Sequence, residues 1–213
     1  MELDEAVDRF TQALLSINHA EALAVVRSFQ EGDFDFGVME AVALPALERI
    51  GDEWQKGFIS LSQVYMSGRL CEHLLDLVAV PNAAPTCGGP VMAIAVFEDH
   101  HQLGKRIVAS ILRAAGYPLQ DWGAGLSRED VLTRIVEAPV DILFLSTLML
   151  HSALHIKPLI ESLRKRGDHV KIAVGGAPFR MDETLWQEVG ADATGKTGHD
   201  ALLIMKGWKG GQS

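Results

Sequence analysis

The spacing of apolar positions changes character about 80 residues into the chain. Before that point apolar residues recur every three or four positions, the spacing that buries one face of an α-helix. Val7, Phe10 and Leu14 show this pattern, and Ser60 stands where it can cap the last such stretch. Glycine and proline separate the stretches from one another. We therefore predict an N-terminal four-helix bundle over residues 1–80.

Further along, short and continuous apolar runs alternate with helical stretches. The clearest runs lie at 91–97, 141–146 and 170–174. Such runs are typical of buried strands in a parallel sheet. Because strands and helices alternate, we predict an α/β domain over 91–213, a Rossmann-like (flavodoxin-like) doubly wound parallel sheet. The segment 81–90 holds three prolines and two glycines and is interpreted as a linker.

Charge divides the chain at the same border. Residues 1–80 carry 5 basic and 14 acidic side chains, whereas residues 81–213 carry 14 of each. An acidic chain without clustered Lys and Arg is poorly suited to nucleic acid, and no apolar run reaches the length of about 18 residues that a membrane span needs. The N-terminus shows no secretory signal, and two cysteines suit a reducing compartment, so we expect a cytoplasmic protein.

Three segments with unusual polar and glycine content follow predicted strands, at the edge where parallel sheets bind ligands. They are EDHHQLG at 98–104, STLMLHS at 146–152, and Gly175-Gly176. In the first segment Asp99, His101 and Gly104 form the pattern D-x-H-x-x-G. A neutral imidazole is a good transition-metal ligand, and a nearby carboxylate can hold its other nitrogen. Taken singly, a solvated polar loop or a plain strand-to-helix turn would also explain these segments.

Together, the three segments resemble the fingerprint of cobalamin-binding domains of the methyltransferase type. That family includes the cobalamin-binding module of methionine synthase and the small corrinoid proteins of anaerobic methyltransferase systems. The matching residues are Asp99-x-His101-x-x-Gly104, then Ser146-x-Leu148, then Gly175-Gly176. Each piece closes a predicted strand, and a helical module precedes them. The resemblance covers essentially the whole chain and implies a cobalamin (corrinoid, cobalt) cofactor.

The resemblance also implies a role for each matching residue. His101 would be the lower axial ligand of cobalt in place of the cofactor's own benzimidazole, and Asp99 would accept a hydrogen bond from the far imidazole nitrogen. Ser152 would extend this relay, so that its proton rises or falls as cobalt changes oxidation state. The other implied cofactor-binding residues are Leu103, Gly104, Ser146, Thr147, Leu148, Leu150, Gly175, Gly176 and Gly195.

Trp54 lies in a segment of the helical part that also resembles this family. It is interpreted either as a lid over the upper corrin face or as a packing residue between helices. Adenosylcobalamin photoreceptors share such a tryptophan but follow it with a Glu-His pair, where this chain has Val64 and Tyr65. Mutase-type domains usually lack the helical module. The resemblance therefore argues against light sensing and radical isomerisation.

The implied function is a methyl-carrier subunit that cycles between Co(I) and methyl-Co(III). Its partners would be a methyl-donor methyltransferase, a methyl-acceptor methyltransferase and a reductive activase. A non-catalytic cobalamin carrier or sensor is the alternative, because nothing in the chain resembles a methyl-donor barrel or a folate site. A zinc protein using His100, His101, Cys87 or His151 is disfavoured, since the chain has no C-x-x-C or H-E-x-x-H spacing.

Some residues near the fingerprint depart from the family pattern. Glu98 stands where many relatives have glycine, and Leu150 stands where the best-known relatives have a threonine near the nucleotide tail. His100 and His151 flank the implied ligand and are not part of the general pattern. We expect both histidines to be solvated or to contact groups around the ligand, although His100 is a rival for the ligand role.

Overall fold

The computed structural model divides the chain into two compact units, which we describe separately. The helical unit is Met1–Pro81 and the α/β unit is Asn82–Ser213. The structure describes residues 2–28, 36–77 and 89–210. Most of the interpreted linker, including Cys87, lies outside the described residues.

The described part of the helical unit consists of four helices, as the apolar spacing predicts. They are α1 (Leu3–Leu15), α2 (His19–Arg27), α3 (Phe36–Gln55) and α4 (Leu61–Leu77). Helix α1 packs against the other three and buries Val7, Phe10 and Leu14. Ser60 caps α4, because its hydroxyl accepts from the Gln63 amide at 3.3 Å while the Gln63 side chain accepts from the Ser60 amide at 2.9 Å.

The α/β unit is built on a five-stranded, fully parallel sheet. Its strands are β1 (Met92–Val96), β2 (Leu119–Asp121), β3 (Ile142–Ser146), β4 (Lys171–Gly175) and β5 (Ala193–Gly195). Its helices are α5 (Leu103–Ala114), α6 (Arg128–Glu137), α7 (Leu150–Leu154), α8 (Ile156–Arg166), α9 (Ala177–Met181), α10 (Leu185–Glu188) and α11 (Gly198–Gly210). Strands and helices alternate as predicted, which confirms the α/β Rossmann-like fold.

The strand order places a ligand-binding crevice in the middle of the sheet. The order is β2-β1-β3-β4-β5, so the chain leaves β1 to one side and later returns to its other side at β3. Alternate residues of β1 enter apolar layers on opposite faces, with Ala93 and Ala95 in one and Met92 and Ile94 in the other. Because both faces are covered, ligands reach the sheet at the carboxyl ends of β1 and β3, where the order reverses.

One helical stretch differs from the expectation from sequence. The apolar spacing predicts a single helix over 152–166, whereas the structure has two helices, α7 and α8, that meet at His155. Pro158 in the first turn of α8 has no amide hydrogen, so it cannot continue the hydrogen-bond ladder from α7. Helix α9 begins directly after Gly176, and Pro178 near its start is pre-organised for a helix.

Candidate functional site

The loops that follow β1 and β3 meet at the crevice, and the carboxylate of Asp99 joins them. Asp99 is only 4% exposed. Its Oδ1 accepts from the amides of His100 at 2.6 Å and His101 at 3.0 Å. Its Oδ2 accepts from the amides of Leu148 at 2.8 Å and Met149 at 3.0 Å, across the crevice. The His101 ring Nδ1 also contacts Oδ1. One carboxylate therefore fixes both loops and the imidazole.

These contacts hold Asp99 in its ionised form. Burial of Asp99 works against ionisation, but the hydrogen bonds from the His101 ring and amide and from the Leu148 and Met149 amides outweigh it and lower the pKa to about 2. A neutral imidazole whose Nδ1 donates to a carboxylate carries its free lone pair on Nε2. His101, whose side chain is 58% exposed, thus offers Nε2 as a ligand atom.

The surroundings of His101 fit a corrin. Three consecutive apolar side chains follow β3, starting in the loop that is bonded to Asp99. They are exposed by 46% at Leu148, 53% at Met149 and 57% at Leu150. Three exposed apolar side chains in a row, beside an oriented imidazole, suit the flat face of a large macrocycle with a metal at its centre. This donor set and its apolar surroundings are therefore compatible with an axially bound corrinoid.

The glycines of the fingerprint permit close approach of the strand ends. Gly176 has φ of +115°, and a Cβ there would lie 1.8 Å from the carbonyl oxygen of Thr147. A Cβ at Gly175 would lie 3.1 Å from the carbonyl oxygen of Gly195, and one at Gly104 would lie 3.6 Å from the Ser146 hydroxyl. Gly175 and Gly176 thus allow a close backbone approach, whereas a Cβ at Gly104 would make an ordinary contact.

Thr147 supplies a second observation that fits a ligand. It is 2% exposed, and its Oγ1 has no hydrogen-bond partner among the described residues. A buried hydroxyl without a partner is costly, so such groups usually bind water or a ligand. Thr147 follows β3 at the crevice, where a polar group of a cofactor could satisfy it.

Ser152 does not make the contact with Asp99 that the resemblance implied. Its hydroxyl donates instead to the backbone carbonyl of Glu98 at 2.7 Å. Both carboxylate oxygens of Asp99 are already occupied by amides and the His101 ring. Among the described residues Asp99 is therefore bonded to the His101 ring and to backbone amides, while Ser152 stabilises the loop through the Glu98 carbonyl. The implied role of Ser152 in a relay stays a prediction.

The flanking histidines occupy separate places. The ring of His100 lies in the space that a Cβ at Gly125 would need. The ring of His151 packs against that of His155, with centroids 4.0 Å apart. The Nδ1 of His155 lies 2.6 Å from Oε2 of Glu98. The sequence interpretation missed His155, although its spacing of four from His151 was a usable signal for two side chains on one helical face.

Trp54 lies at the end of α3 and is 45% exposed. Phe58, Leu61 and Tyr65 near it in sequence are 77%, 64% and 64% exposed. This exposure is inconsistent with a tryptophan fully packed between helices. It leaves an aromatic side chain on the surface of the helical unit.

Family models match both units of the chain. Residues 89–204 match a model described as a B12 binding domain, and residues 6–78 match a second model with the same description. Each match falls within one compact unit of the structure. No helix in the described residues combines the length and apolar character needed to cross a membrane.

Known corrinoid proteins are similar to this chain over nearly its full length. A corrinoid protein of Desulfitobacterium hafniense is 28% identical over 93% of this chain and 94% of the relative. The monomethylamine corrinoid protein 1 of Methanosarcina mazei is 26% identical over 96% of this chain and 97% of the relative. The solved monomethylamine corrinoid protein of Methanosarcina barkeri shares the fold, with a TM-score of 0.80 at 24% identity, over 95% of this chain and 98% of that chain. This protein therefore belongs to the family of B12-binding-domain proteins, and the predicted corrinoid cofactor is confirmed.

Proposed function

We propose that this protein is the methyl-carrying corrinoid subunit of a multi-component methyltransferase, with His101 as the lower axial ligand of cobalt. The observation that carries the proposal is the imidazole of His101, which Asp99 orients at the crevice between β1 and β3. The exposed apolar side chains that follow β3 support it, as does similarity to proteins named for corrinoid and methylamine systems.

Each proposed residue has a task that its surroundings support. A bound corrinoid would supply the methyl-transfer chemistry through a cobalt that alternates between the Co(I) and methyl-Co(III) states. Because the pKa of Asp99 is low, its carboxylate accepts a hydrogen bond from Nδ1 of His101. The lone pair on Nε2 of His101 is then free to bind a metal. Ser152 holds the backbone of the same loop through the Glu98 carbonyl.

The remaining fingerprint residues are proposed to receive the cofactor's displaced tail and the edge of the ring. The orphaned hydroxyl of Thr147 and the close-packed glycines at the ends of β4 and β5 support this assignment. These residues are Leu103, Gly104, Ser146, Thr147, Leu148, Leu150, Gly175, Gly176 and Gly195. In this proposal residues 1–80 form a cap domain, 81–90 a linker and 91–213 the cobalamin-binding domain. The exposed Trp54 side chain shields the upper face.

The proposed partners are a methyltransferase that loads the methyl group and another that removes it, together with a reductive activase. The alternative is a carrier or sensor that binds cobalamin without passing on a methyl group. Only a transfer assay separates the two functions, because both need the same corrinoid site.

The test begins with protein loaded with hydroxocobalamin and reduced to Co(I). Purified methyltransferases for methylamines and for methanol are then added one at a time with their donors. We expect one of them to convert the Co(I) absorption spectrum to that of the methylated cofactor, and no conversion without that enzyme. If the loaded protein is methylated by none of them, the carrier or sensor function is favoured.

A further inference from the structure

A second group of metal-ligating side chains lies in the α/β unit, apart from the imidazole of His101. It consists of Glu98, His151 and His155, and one ligand atom from each lies within 4.8 Å of the others. We propose that these three side chains form a binding site for a divalent transition-metal ion such as Zn²⁺. We call this group the Glu-His-His cluster.

The donor atoms suit such an ion. Two imidazoles and one carboxylate are the ligand set of many zinc sites that keep a fourth position open for water or another ligand. Tetrahedral zinc with bonds of about 2.0–2.2 Å needs its ligand atoms about 3.3–3.6 Å apart. The ligand atoms of the cluster all lie within 4.8 Å of one another, so side-chain rotations would have to adjust them to bind an ion, and the 2.6 Å contact between His155 and Glu98 would have to open.

The backbone brings the two histidines together on one turn. The His155 amide donates to the His151 carbonyl at 3.2 Å, so the side chains lie four residues apart on the same face. Their ring centroids are 4.0 Å apart. This spacing, H-x-x-x-H at the junction of α7 and α8, presents two imidazoles without the H-E-x-x-H motif that the sequence lacks.

The third ligand is held in a strained conformation. Glu98 has φ of +45°, in the left-handed region that residues with a side chain rarely adopt. Two hydrogen bonds keep it there: its amide donates to Leu126 at 2.9 Å, and its carbonyl accepts from Ser152 at 2.7 Å. The result is a carboxylate whose Oε2 lies 2.6 Å from Nδ1 of His155. Strain of this kind that directs a side chain to partners points to a function for it.

An ion can reach the cluster from solvent. The side chain of Glu98 is 27% exposed and that of His155 is 44% exposed, and His151 is exposed as well. The cluster is also distinct from the proposed cobalt ligand. His101 is not one of its three residues, and Nδ1 of His101 contacts Asp99 instead. Since Glu98 directly precedes Asp99, a metal ion here would bind the same loop that orients His101.

The test is a calorimetric titration of the full chain, prepared without corrinoid and freed of metal by a chelator, with Zn²⁺. We expect one zinc ion per chain, with affinity at least about tenfold weaker in His155→Ala and in Glu98→Gln, since each loses one of three ligands. The matched control is His169→Ala, which removes an exposed histidine elsewhere in the α/β unit. Far-ultraviolet circular dichroism checks that each variant is folded.

The proposal is overturned if wild type binds zinc no more tightly than folded His155→Ala. It is also overturned if binding is lost in His101→Ala and kept in His155→Ala, because His101 would then be the ligand. The titration contains no corrinoid, so its failure leaves the proposed methyl-carrier function intact. Conversely, loss of corrinoid binding leaves the zinc result unchanged.

Discussion

At the scale of single residues, the carboxylate of Asp99 has two structural roles. It orients the ring of His101, and it joins the loop after β1 to the loop after β3. A carboxylate suits both roles because each of its oxygens only accepts hydrogen bonds. A side chain that also donates hydrogen bonds would place one of its own hydrogens against the hydrogen of a backbone amide.

Asp99→Asn tests this dual role. The new amide group would face donors on at least one side, so we expect unfolding free energy to fall by about 1–3 kcal/mol and corrinoid affinity to fall with it. Urea unfolding and titration with hydroxocobalamin measure the two effects. Asp8→Asn is the control, since the exposed Asp8–Arg49 pair contributes at most about 1 kcal/mol. Equal stability of the two variants would contradict the role given to Asp99.

Gly176 is a second position at which one added carbon atom is expected to destabilise the fold. A methyl group there would collide with the Thr147 carbonyl oxygen, and φ of +115° disfavours any side chain. We expect Gly176→Ala to lose more than about 2 kcal/mol of unfolding free energy in urea titrations. By contrast Gly68→Ala, with nothing within 4 Å of its added Cβ inside α4, should gain about 0.5–1 kcal/mol. A Gly176→Ala protein as stable as wild type would refute this explanation.

The residue-level prediction from sequence was strongest where one motif holds both partners. Asp99 and His101 are two positions apart in an extended loop, so their contact could be anticipated from spacing. The contact of Glu98 with His155 spans 57 positions and depends on a left-handed φ at Glu98, which no local pattern indicates. The role of Ser152 next to Asp99 was implied by the resemblance alone, and the sequence could not show that backbone amides already bond to that carboxylate.

At the scale of elements, strand order positions the site. Apolar runs predicted β1, β3 and β4, and the cap at Ser60 marked the start of α4. Alternation of strand and helix indicated a parallel sheet, but the periodicity of each run carries no information on which strands are neighbours. The crevice between β1 and β3 follows from that order. The break between α7 and α8 was missed because the apolar pattern continues through it.

Helix α5 and strand β2 are tied by a buried lysine. Lys105 is 2% exposed, and its Nζ lies 2.7 Å from Oδ1 of Asp121, which also accepts from the Gly123 amide at 2.8 Å. Burial alone would raise the pKa of Asp121, but the hydrogen bonds from Lys105 and Gly123 outweigh it and lower the pKa. A carboxyl group with a lowered folded-state pKa stabilises the fold above its ordinary pKa, and this stabilisation is lost as the pH falls.

We therefore expect Asp121→Asn to cost about 1–3 kcal/mol at pH 7, because it leaves the buried ammonium of Lys105 without its charged partner. The difference from wild type should begin to narrow as the pH falls below about 4, the ordinary pKa of an aspartate, and should go on narrowing at lower pH, where wild-type Asp121 is protonated in the folded state as well. Urea unfolding at several pH values measures the gap. If the difference in unfolding free energy between wild type and Asp121→Asn stays constant as the pH falls, the ion pair is not its cause.

At the scale of the whole molecule, the formal charge of −9 resides in residues 1–80, while residues 81–213 carry equal numbers of acidic and basic side chains. Such an imbalance keeps a protein soluble, and it also steers or rejects charged partners. The proposed function gives this imbalance a second significance, because a methyl carrier would have to meet more than one enzyme in each cycle.

We expect methyl transfer with a cognate methyltransferase to depend on ionic strength. Raising salt from about 20 mM to about 200 mM shortens the screening length to less than half, so the transfer rate should change several-fold. Stopped-flow absorption of the corrinoid measures the rate. Rates that stay flat over this range would leave the acidic surface with a role in solubility alone.

The most direct test of the central claim is electron paramagnetic resonance of the protein loaded with cobalamin and reduced to Co(II). With His101 as axial ligand, the spectrum should show coupling to one nitrogen of the protein. Labelling histidine with ¹⁵N should change each three-line splitting to two lines, and His101→Ala should remove the histidine coupling. A splitting that ¹⁵N-histidine leaves unchanged, or that persists in His101→Ala, would show that His101 does not bind the cobalt.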